Sequence, residues 1–335
     1  MNNRLLLLAL CSWAFHAVHA METKTECTWE TKIKNEGFVA IVLPGQNGCG
    51  GDSFIANHLI NTNLISRYQT LEKISNIDLG QENCIAHFEK QLYNDPITEK
   101  FKKNFNLKKI LYGVSQGTAT LTNWLAQQPQ KEQEKIGALI LESVLGTGNS
   151  AISHTVESMA PCSSSIPESS LAYTAKVVAF PAYKPNGLQA LNSAKKLSNN
   201  LPVLIMHHEN DPQLSIDDAR KLYCTLREQG NKNVYFIEVN NQTKAHLDIL
   251  NTITNREDKI RKIAGIQAFF KKYNMPYSTG SSFVNNEDSE AALTEMQPSP
   301  TAVRKKIKTT LCQTMLESTS KSFSSLGNLF SSSNE

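Results

Sequence analysis

The chain has 335 residues, of which 40% are hydrophobic and 19% charged, and its formal net charge at pH 7 is +3. A balance so close to neutrality does not indicate a nucleic-acid partner, which calls for a strongly basic surface. The length is sufficient for one large domain with appendages.

The first twenty residues have the pattern of a secretory signal peptide. Arg4 precedes an apolar stretch, and Val18 and Ala20 put small residues at positions −3 and −1 of a cleavage site. The apolar stretch is too short to cross a bilayer comfortably, and no stop-transfer pattern follows it. The alternative is an uncleaved anchor. We therefore predict cleavage near Ala20 and a mature protein that is secreted or periplasmic.

Apolar strand patterns alternate with helical patterns along the chain. Strands are predicted over 37–45, 73–80, 108–115, 136–144, 201–209 and 233–239, with the second pattern the weakest. Helical spacing predicts helices over about 82–104, 116–128, 215–229 and 257–272. This alternation predicts an α/β fold: a doubly wound, mostly parallel sheet with helices on both faces.

Three segments fall outside this alternation. Residues 147–200 are too long for one crossover helix and are predicted to form a lid over the carboxyl edge of the sheet. Residues 275–300 are polar and rich in serine and proline, which predicts a flexible linker. In 301–335, apolar residues recur every four positions from Val303, which predicts an amphipathic helix before a serine-rich end. We expect that helix to dock on its own domain, and the alternative is a membrane surface or a partner.

A serine flanked by glycines, Gly113-Val114-Ser115-Gln116-Gly117, lies between a predicted strand and a predicted helix. A serine hydroxyl becomes a nucleophile only when a base removes its proton. A sharp strand-to-helix turn lifts the hydroxyl above the sheet edge, and the glycines permit the close backbone approach of such a turn. We therefore predict Ser115 as a nucleophile; the alternative is a capping serine in a nucleotide-binding turn.

An acid that could orient the base follows the strand predicted over 201–209. Asp211 lies just past the end of that strand. Asp217 and Asp218 compete with it, but we expect both in the first turn of the next helix, where acidic side chains stabilise the helix dipole. Asp211 is therefore the predicted acid.

A base candidate follows the last predicted strand. His246 lies in the loop after 233–239 and precedes a helical pattern. His207 and His208 compete with it, but a histidine at the end of a strand is not free to swing over Ser115. We therefore predict His246 as the base.

The chain order Ser115, Asp211, His246 resembles that of the α/β-hydrolase superfamily. The resemblance covers about residues 37–272 and rests on the serine turn, the acid loop, the histidine loop and a glycine-rich loop at 43–52, LPGQNGCGGD. It implies an α/β-hydrolase domain over 21–274. No particular family within the superfamily is indicated, although many esterases and thioesterases share the Gly-x-Ser-Gln-Gly turn.

The glycine-rich loop is also where the resemblance places one donor of an oxyanion hole. The corresponding loop of the superfamily usually begins with His-Gly, and here Pro44 replaces the histidine while Gly45 is kept. By this match the backbone N–H groups of Gln46 and Gln116 would hold the oxyanion. Asn47 or a glycine is the alternative donor, and a plain turn cluster is the non-functional reading.

Six of the seven cysteines remain after cleavage, at positions 27, 49, 84, 162, 224 and 312. An even number in an exported chain predicts some disulfides, with the pairing left open. No cysteine or histidine cluster has zinc-ligand spacing, so we expect no metal. The glycines do not match G-x-G-x-x-G, and no cofactor is expected.

These residues predict an exported serine hydrolase that cleaves a carboxylic ester or related acyl bond through an acyl-enzyme. The substrate would be a small-molecule or lipid acyl compound, and Tyr173, Phe180 and Tyr183 in 147–200 suggest an apolar pocket for it. The alternatives are a serine peptidase, a lipase at a membrane surface, or a non-catalytic hydrolase-fold binding or effector protein. The oligomeric state is left open.

Overall fold

The computed structural model describes residues 38–43, 65–68, 78–94, 108–159, 182–240, 245–247, 249–275, 286–307 and 309. The predicted signal peptide, most of the glycine-rich loop, the centre of the predicted lid and the serine-rich end lie outside these ranges. For those segments the sequence predictions stay predictions.

The described strands form one parallel sheet. They are β1 (Phe38–Leu43), β2 (Ile65–Tyr68), β3 (Lys108–Val114), β4 (Ile136–Glu142), β5 (Val203–His208) and β6 (Val234–Val239). Their order is β2-β1-β3-β4-β5-β6, and each neighbouring pair is parallel. The order reverses between β1 and β3, and ligands of doubly wound sheets bind beyond the carboxyl ends of the strands at such a point.

The described helices follow the predicted alternation. They are α1 (Glu82–Asn94), α2 (Gln116–Leu125), α3 (Gln130–Gln133), α4 (Gly148–Met159), α5 (Ala190–Ser193), a 3₁₀ turn (Ala194–Lys196), α6 (Ile216–Glu228), α7 (Arg256–Lys272) and α8 (Asn286–Glu295). Side chains of Ser215 and Asn255 accept backbone N–H groups at the starts of α6 and α7, which explains where those helices begin.

Alternating strand residues build an apolar core on each face of the sheet. On β3, Leu111 belongs to the core that contains residues of α1, α2 and α6. Its neighbours Ile110 and Tyr112 belong to the core that contains residues of α7. Because the strands are buried on both faces they read as continuous apolar runs. The predicted fold class, with helices on both faces, is confirmed.

The strand predicted over 73–80 is not seen in the part of that stretch that the structure describes. Asp78 instead accepts N–H groups from Gln81 and Cys84, at 2.9 and 3.2 Å, and so caps the start of α1. Leu79 and Gly80 have φ of 54° and 90°, which an extended strand cannot accommodate. The second strand is β2, at 65–68, for which the sequence analysis makes no prediction.

The segment predicted as a flexible linker, 275–300, contains α8 and a docked stretch. The N–H of Phe236 in β6 donates to the carbonyl of Met296 at 2.7 Å, and the hydroxyl of Tyr223 donates to that of Pro298 at 2.6 Å. Met296 is buried in the core on one face of the sheet, and Val303 in the core on the other. The chain therefore wraps round the free edge of β6.

The helical residues 300–307 lie against the domain, and the rest of the predicted tail stays a prediction. Arg304 makes two hydrogen bonds to Glu228 of α6, at 2.6 and 2.5 Å. Lys306 donates to Glu238 of β6 at 3.0 Å. Across the described helices, length and apolar character fall short of what a bilayer crossing requires.

The two cysteines within the described residues are free thiols. Cys84 and Cys224 are both buried. Burial, with the neighbouring Asp78 carboxylate, raises the pKa of Cys84 to about 12, so this thiol stays protonated. The predicted disulfides therefore concern the other cysteines of the mature chain, which lie outside the described residues.

Candidate active site

The predicted nucleophile sits on a sharp turn between β3 and α2. Ser115 follows Val114 and precedes Gln116, the first residue of α2, with φ 53° and ψ −121°. A non-glycine residue with positive φ is strained and persists only where its surroundings hold it. The N–H of Ser115 donates to the carbonyl of Glu142 in β4 at 2.9 Å, which anchors the turn to the sheet. The serine is half-buried.

The glycine before the turn is required by close backbone packing. A Cβ added to Gly113 would lie 2.8 Å from the carbonyl oxygen of Gly117. We expect Gly113→Ala to lower the free energy of unfolding by about 1–3 kcal/mol and to displace Ser115. Chemical denaturation and the rate of fluorophosphonate labelling measure the two effects.

The matched control for this substitution is Gly230→Ala. Gly230 has φ of 95°, so alanine is strained there, but the added Cβ would make only an ordinary contact, 3.8 Å from the side chain of Asn199, and the residue follows the far end of α6. It should lose stability without a change in labelling of the folded protein. Normal labelling of Gly113→Ala would show that the turn tolerates a side chain.

The three predicted residues meet at the carboxyl edge of the sheet. His246 Nε2 lies 2.8 Å from Ser115 Oγ. His246 Nδ1 lies 2.8 Å from Asp211 Oδ2 and 3.0 Å from its Oδ1. With the carboxylate ionised, Nδ1 carries the ring proton and Nε2 has a free lone pair directed at the serine. These residues come from the turn after β3 and the loops after β5 and β6. This is the placement that the resemblance to the α/β-hydrolase superfamily predicts.

Comparisons with known proteins give weak likenesses. No protein-family model and no curated protein matches the chain. An esterase of Pyrococcus furiosus has a TM-score of 0.45 at 14% identity, over 70% of this chain and 81% of its own. An acylaminoacyl peptidase of Pyrococcus horikoshii has 0.45 at 18% identity, over 77% of this chain and 40% of its own. A bacterial membrane phospholipase A has a TM-score of 0.39 at 13% identity, over 80% of this chain and 93% of its own. At such scores they say nothing of this chain's activity.

Asp211 is held as a buried carboxylate. Its Oδ1 accepts the N–H groups of Gln213 and Leu214, at 2.8 and 3.0 Å. Burial by itself would raise the pKa of Asp211, but the hydrogen bond from His246, the two nearby histidines and the Gln213 N–H outweigh it and lower the pKa. The group is therefore ionised at neutral pH, the state that an orienting acid requires.

The competing histidines are fully buried in β5. His207 Nδ1 accepts the N–H of Val144 at 2.9 Å, so the ring proton is on Nε2, which faces the carbonyl of Leu214 at 3.3 Å and Asp211 Oδ2 at 3.7 Å. Burial lowers the pKa of His207 to about 4. His208 Nδ1 accepts the N–H of Asn210 at 3.0 Å. Both rings serve local structure, as the sequence analysis expects of strand-end histidines.

The buried ring of His207 should make folding stability depend on pH. The unfolded chain binds a proton near the ordinary pKa of 6.5, whereas the folded chain does so only near 4. As the pH falls through this window the unfolded state gains protons that the folded state does not, and stability falls by up to about 3 kcal/mol. We expect His207→Gln, which keeps one donor and one acceptor, to flatten this part of the profile. Urea denaturation at several pH values measures it, and identical slopes in both proteins would contradict it.

The competing acids lie where predicted, in the first turn of α6. Asp217 pairs with Arg220 at 2.9 Å. Asp218 accepts the N–H of Thr147 at 3.2 Å and is buried. Asp217 and Asp218 thus contact α6 and the loop after β4, whereas Asp211 contacts His246.

The predicted oxyanion donors are only partly within the described residues. Gln46 lies outside them, although β1 ends at Leu43, which pairs with Gly113 beside the serine turn. Gln116 is the first residue of α2, where N–H groups have no acceptor within the helix. Its side-chain amide donates to the sulfur of Cys84 at 2.9 Å. The Gln116 N–H thus lies beside Ser115, and the roles of both oxyanion donors stay predictions.

The first described part of the predicted lid, α4, packs on the acid loop. His154 of α4 is hydrogen-bonded to the carbonyl of Asp211 at 2.8 Å, and the hydroxyl of Thr155 donates to that of Gln213 at 3.1 Å. Tyr183, which the sequence suggested for the substrate pocket, is fully buried and donates to Asn149 at 2.7 Å. That part of the prediction is wrong because the ring fills an apolar cluster with Leu145 and its neighbours. Tyr173 and Phe180 lie outside the described residues.

The sequence analysis overlooks two residues at the end of β4, Glu142 and Ser143. Both are buried, and they contact the serine turn and the histidine loop. A detectable signal was available: an acid that ends the otherwise apolar strand IGALILE must find polar partners inside the protein. Within the described residues, no group of three or more metal-ligating side chains is placed to hold an ion.

Proposed function

We propose that the chain is a serine hydrolase that cleaves a carboxylic ester or a related acyl bond through an acyl-enzyme. The observation that carries the proposal is the unbroken path of hydrogen bonds from Ser115 to His246 to Asp211, with 2.8 Å at each step. Ser115 is half-buried and therefore open to a ligand, unlike the fully buried serine that a binding-only protein could keep. The geometry thus supports catalysis over the binding-protein alternative.

In the proposed reaction Ser115 Oγ attacks the substrate carbonyl while His246 Nε2 takes the hydroxyl proton. The N–H of Gln116, with that of Gln46 by the resemblance, holds the negative oxygen of the tetrahedral intermediate. His246 then gives its proton to the leaving alcohol, and the C–O bond breaks to leave the serine acylated. Water repeats the sequence and releases the acid. Asp211 stabilises the protonated imidazole in both halves.

The preference for an apolar acyl substrate draws on a residue beside the base. Leu247 is the large hydrophobic side chain that is most exposed in the described part of the chain, at 43%. It follows His246 directly in the chain, in the loop that carries the proposed base. An exposed leucine here supports an ester with an apolar group. Export of the enzyme is part of the proposal and rests on residues 1–20.

The test is covalent labelling with a fluorophosphonate, followed by mass spectrometry of the modified peptide. We expect labelling of the folded wild type at Ser115, its loss in Ser115→Ala and His246→Ala, and normal labelling of Ser150→Ala, a half-buried serine in α4. A folded wild type that is not labelled would overturn the proposal. A panel of matched esters and anilides then separates esterase from peptidase: hydrolysis confined to anilides would replace the ester by a peptide.

A further inference from the structure

The residues at the end of β4, Glu142 and Ser143, contact both the turn that carries Ser115 and the loop that carries His246. The carbonyl of Glu142 accepts the N–H of Ser115 at 2.9 Å. The next residue, Ser143, has φ of 54°, in the left-handed region, and its N–H donates to the carbonyl of Met206 in β5 at 2.9 Å. A strained non-glycine residue, fixed to a central strand, is a rigid point from which a side chain can be directed.

Both side chains of this dipeptide reach the histidine loop. The hydroxyl of Ser143 donates to the backbone carbonyl of His246 in a short hydrogen bond. The carboxylate of Glu142 accepts the N–H of Ile249 through Oε1, at 3.2 Å, and the hydroxyl of Tyr112 through Oε2. The histidine loop is thus hydrogen-bonded to the end of β4 at two points, the carbonyl of His246 and the N–H of Ile249.

Because Glu142 and Ser143 are buried, their polar groups depend on these hydrogen bonds. Glu142 is 2% exposed and Ser143 is fully buried. A carboxylate in such a place is costly unless hydrogen bonds satisfy it, and the loss of one partner leaves the others unsatisfied. The arrangement therefore favours one position of the histidine loop relative to the sheet.

We propose that Glu142 and Ser143 form a clasp that positions His246 against Ser115. The proposal rests on the proposed function, since a clasp matters only if the imidazole takes the serine proton. One dipeptide holds the serine turn through its backbone and the histidine loop through its side chains. The distance between Nε2 and Oγ is in this way set by a single strand end. Both are positioning residues, because neither side chain contacts the reacting atoms.

Removal of the Ser143 hydroxyl should impair turnover rather than binding. A displacement of about 1 Å in a reacting group costs on the order of 100-fold in rate. We expect Ser143→Ala to lower kcat by about 10- to 100-fold with KM nearly unchanged. kcat/KM should fall by the same factor as kcat, the pattern of an interaction that acts only in the transition state.

Two further variants separate the hydroxyl from the backbone and from the loop. Ser143→Gly also lacks the hydroxyl but relieves the positive φ, so we expect it to be more stable than Ser143→Ala and equally slow. Thr252→Val removes a hydroxyl that donates to Ile249 within the loop itself, at 2.6 Å, and should keep wild-type kcat. Glu142→Gln, which still offers an oxygen to Ile249, should be more active than Glu142→Ala.

The outcomes distinguish the clasp from the enzyme. Wild-type kcat in both Ser143→Ala and Ser143→Gly, with the wild type labelled at Ser115, would overturn the clasp and leave the hydrolase standing. Recovery of kcat in Ser143→Gly alone would also overturn it, because strain rather than the hydroxyl would then explain the loss. If the folded wild type is not labelled, the proposed function itself is contradicted. If Glu142→Ala does not fold, the Ser143 pair and Glu142→Gln decide the matter.

Discussion

Ser115→Ala and His246→Ala should each lower kcat by about 10⁴- to 10⁶-fold, and the double variant should be no slower than the worse single variant. The nucleophile and the base act as one unit, because His246 Nε2 is useful only with the Ser115 hydroxyl 2.8 Å away. Once either is gone, the other has no proton transfer to perform. Initial rates with an activated ester, corrected for the concentration of folded protein, measure the effect.

The non-additive result is the informative part of this experiment. Losses that multiply in the double variant would mean that Ser115 and His246 contribute independently, which the proposed relay does not allow. Ser150→Ala controls for serine replacement in general, and its kcat should match the wild type.

Asp211→Asn should lower kcat by about 10⁴-fold while the fold is kept. The N–H groups of Gln213 and Leu214 both donate to Oδ1, so the amide oxygen of asparagine stays there and its NH₂ faces His246. The imidazole must then accept at Nδ1 and carry its proton on Nε2. That proton points at the Ser115 hydroxyl, and the base has no lone pair for it.

The tautomer of this variant can be observed directly. Imidazole resonances in NMR spectra report which ring nitrogen of His246 carries the proton, and in Asp211→Asn we expect it on Nε2. Asp217→Asn, a buried acid of α6 that pairs with Arg220, is the matched control and should keep wild-type kcat. An equal loss in both variants would point to general damage rather than to the tautomer.

The candidate site could be predicted because each member follows a strongly apolar strand. Ser115, Asp211 and His246 come after β3, β5 and β6, and the carboxyl ends of parallel strands meet at one edge of the sheet. The geometry then brings together side chains that are 131 and 35 positions apart. Local patterns were sufficient because the topology of such sheets allows few arrangements.

The residues behind the site could not be predicted in the same way. Glu142 signals only that it needs polar partners, and no local spacing encodes that one of them is Ile249, 107 positions away. The partners of Ser143 and His207 likewise lie on other elements. The strand predicted over 73–80 fails in its described part, 78–80, for a related reason. Its weak alternation was outweighed by the cap that Asp78 supplies to α1, which the sequence analysis did not weigh. Tyr183 shows that an aromatic residue in an insertion is as suited to a core as to a pocket.

The segment that wraps round the edge of β6 limits where the chain can be truncated without exposing that strand. A boundary drawn after residue 275 would retain all three proposed catalytic residues and follow the predicted domain limit closely. It would also strip the last strand of Met296 and Val303, which seal it from both faces, and leave the N–H of Phe236 and the hydroxyl of Tyr223 without their acceptors. An uncovered edge strand with apolar residues on both faces pairs with strands of other molecules. A protein shortened in this way should therefore self-associate, and the resulting oligomer could be mistaken for a native one.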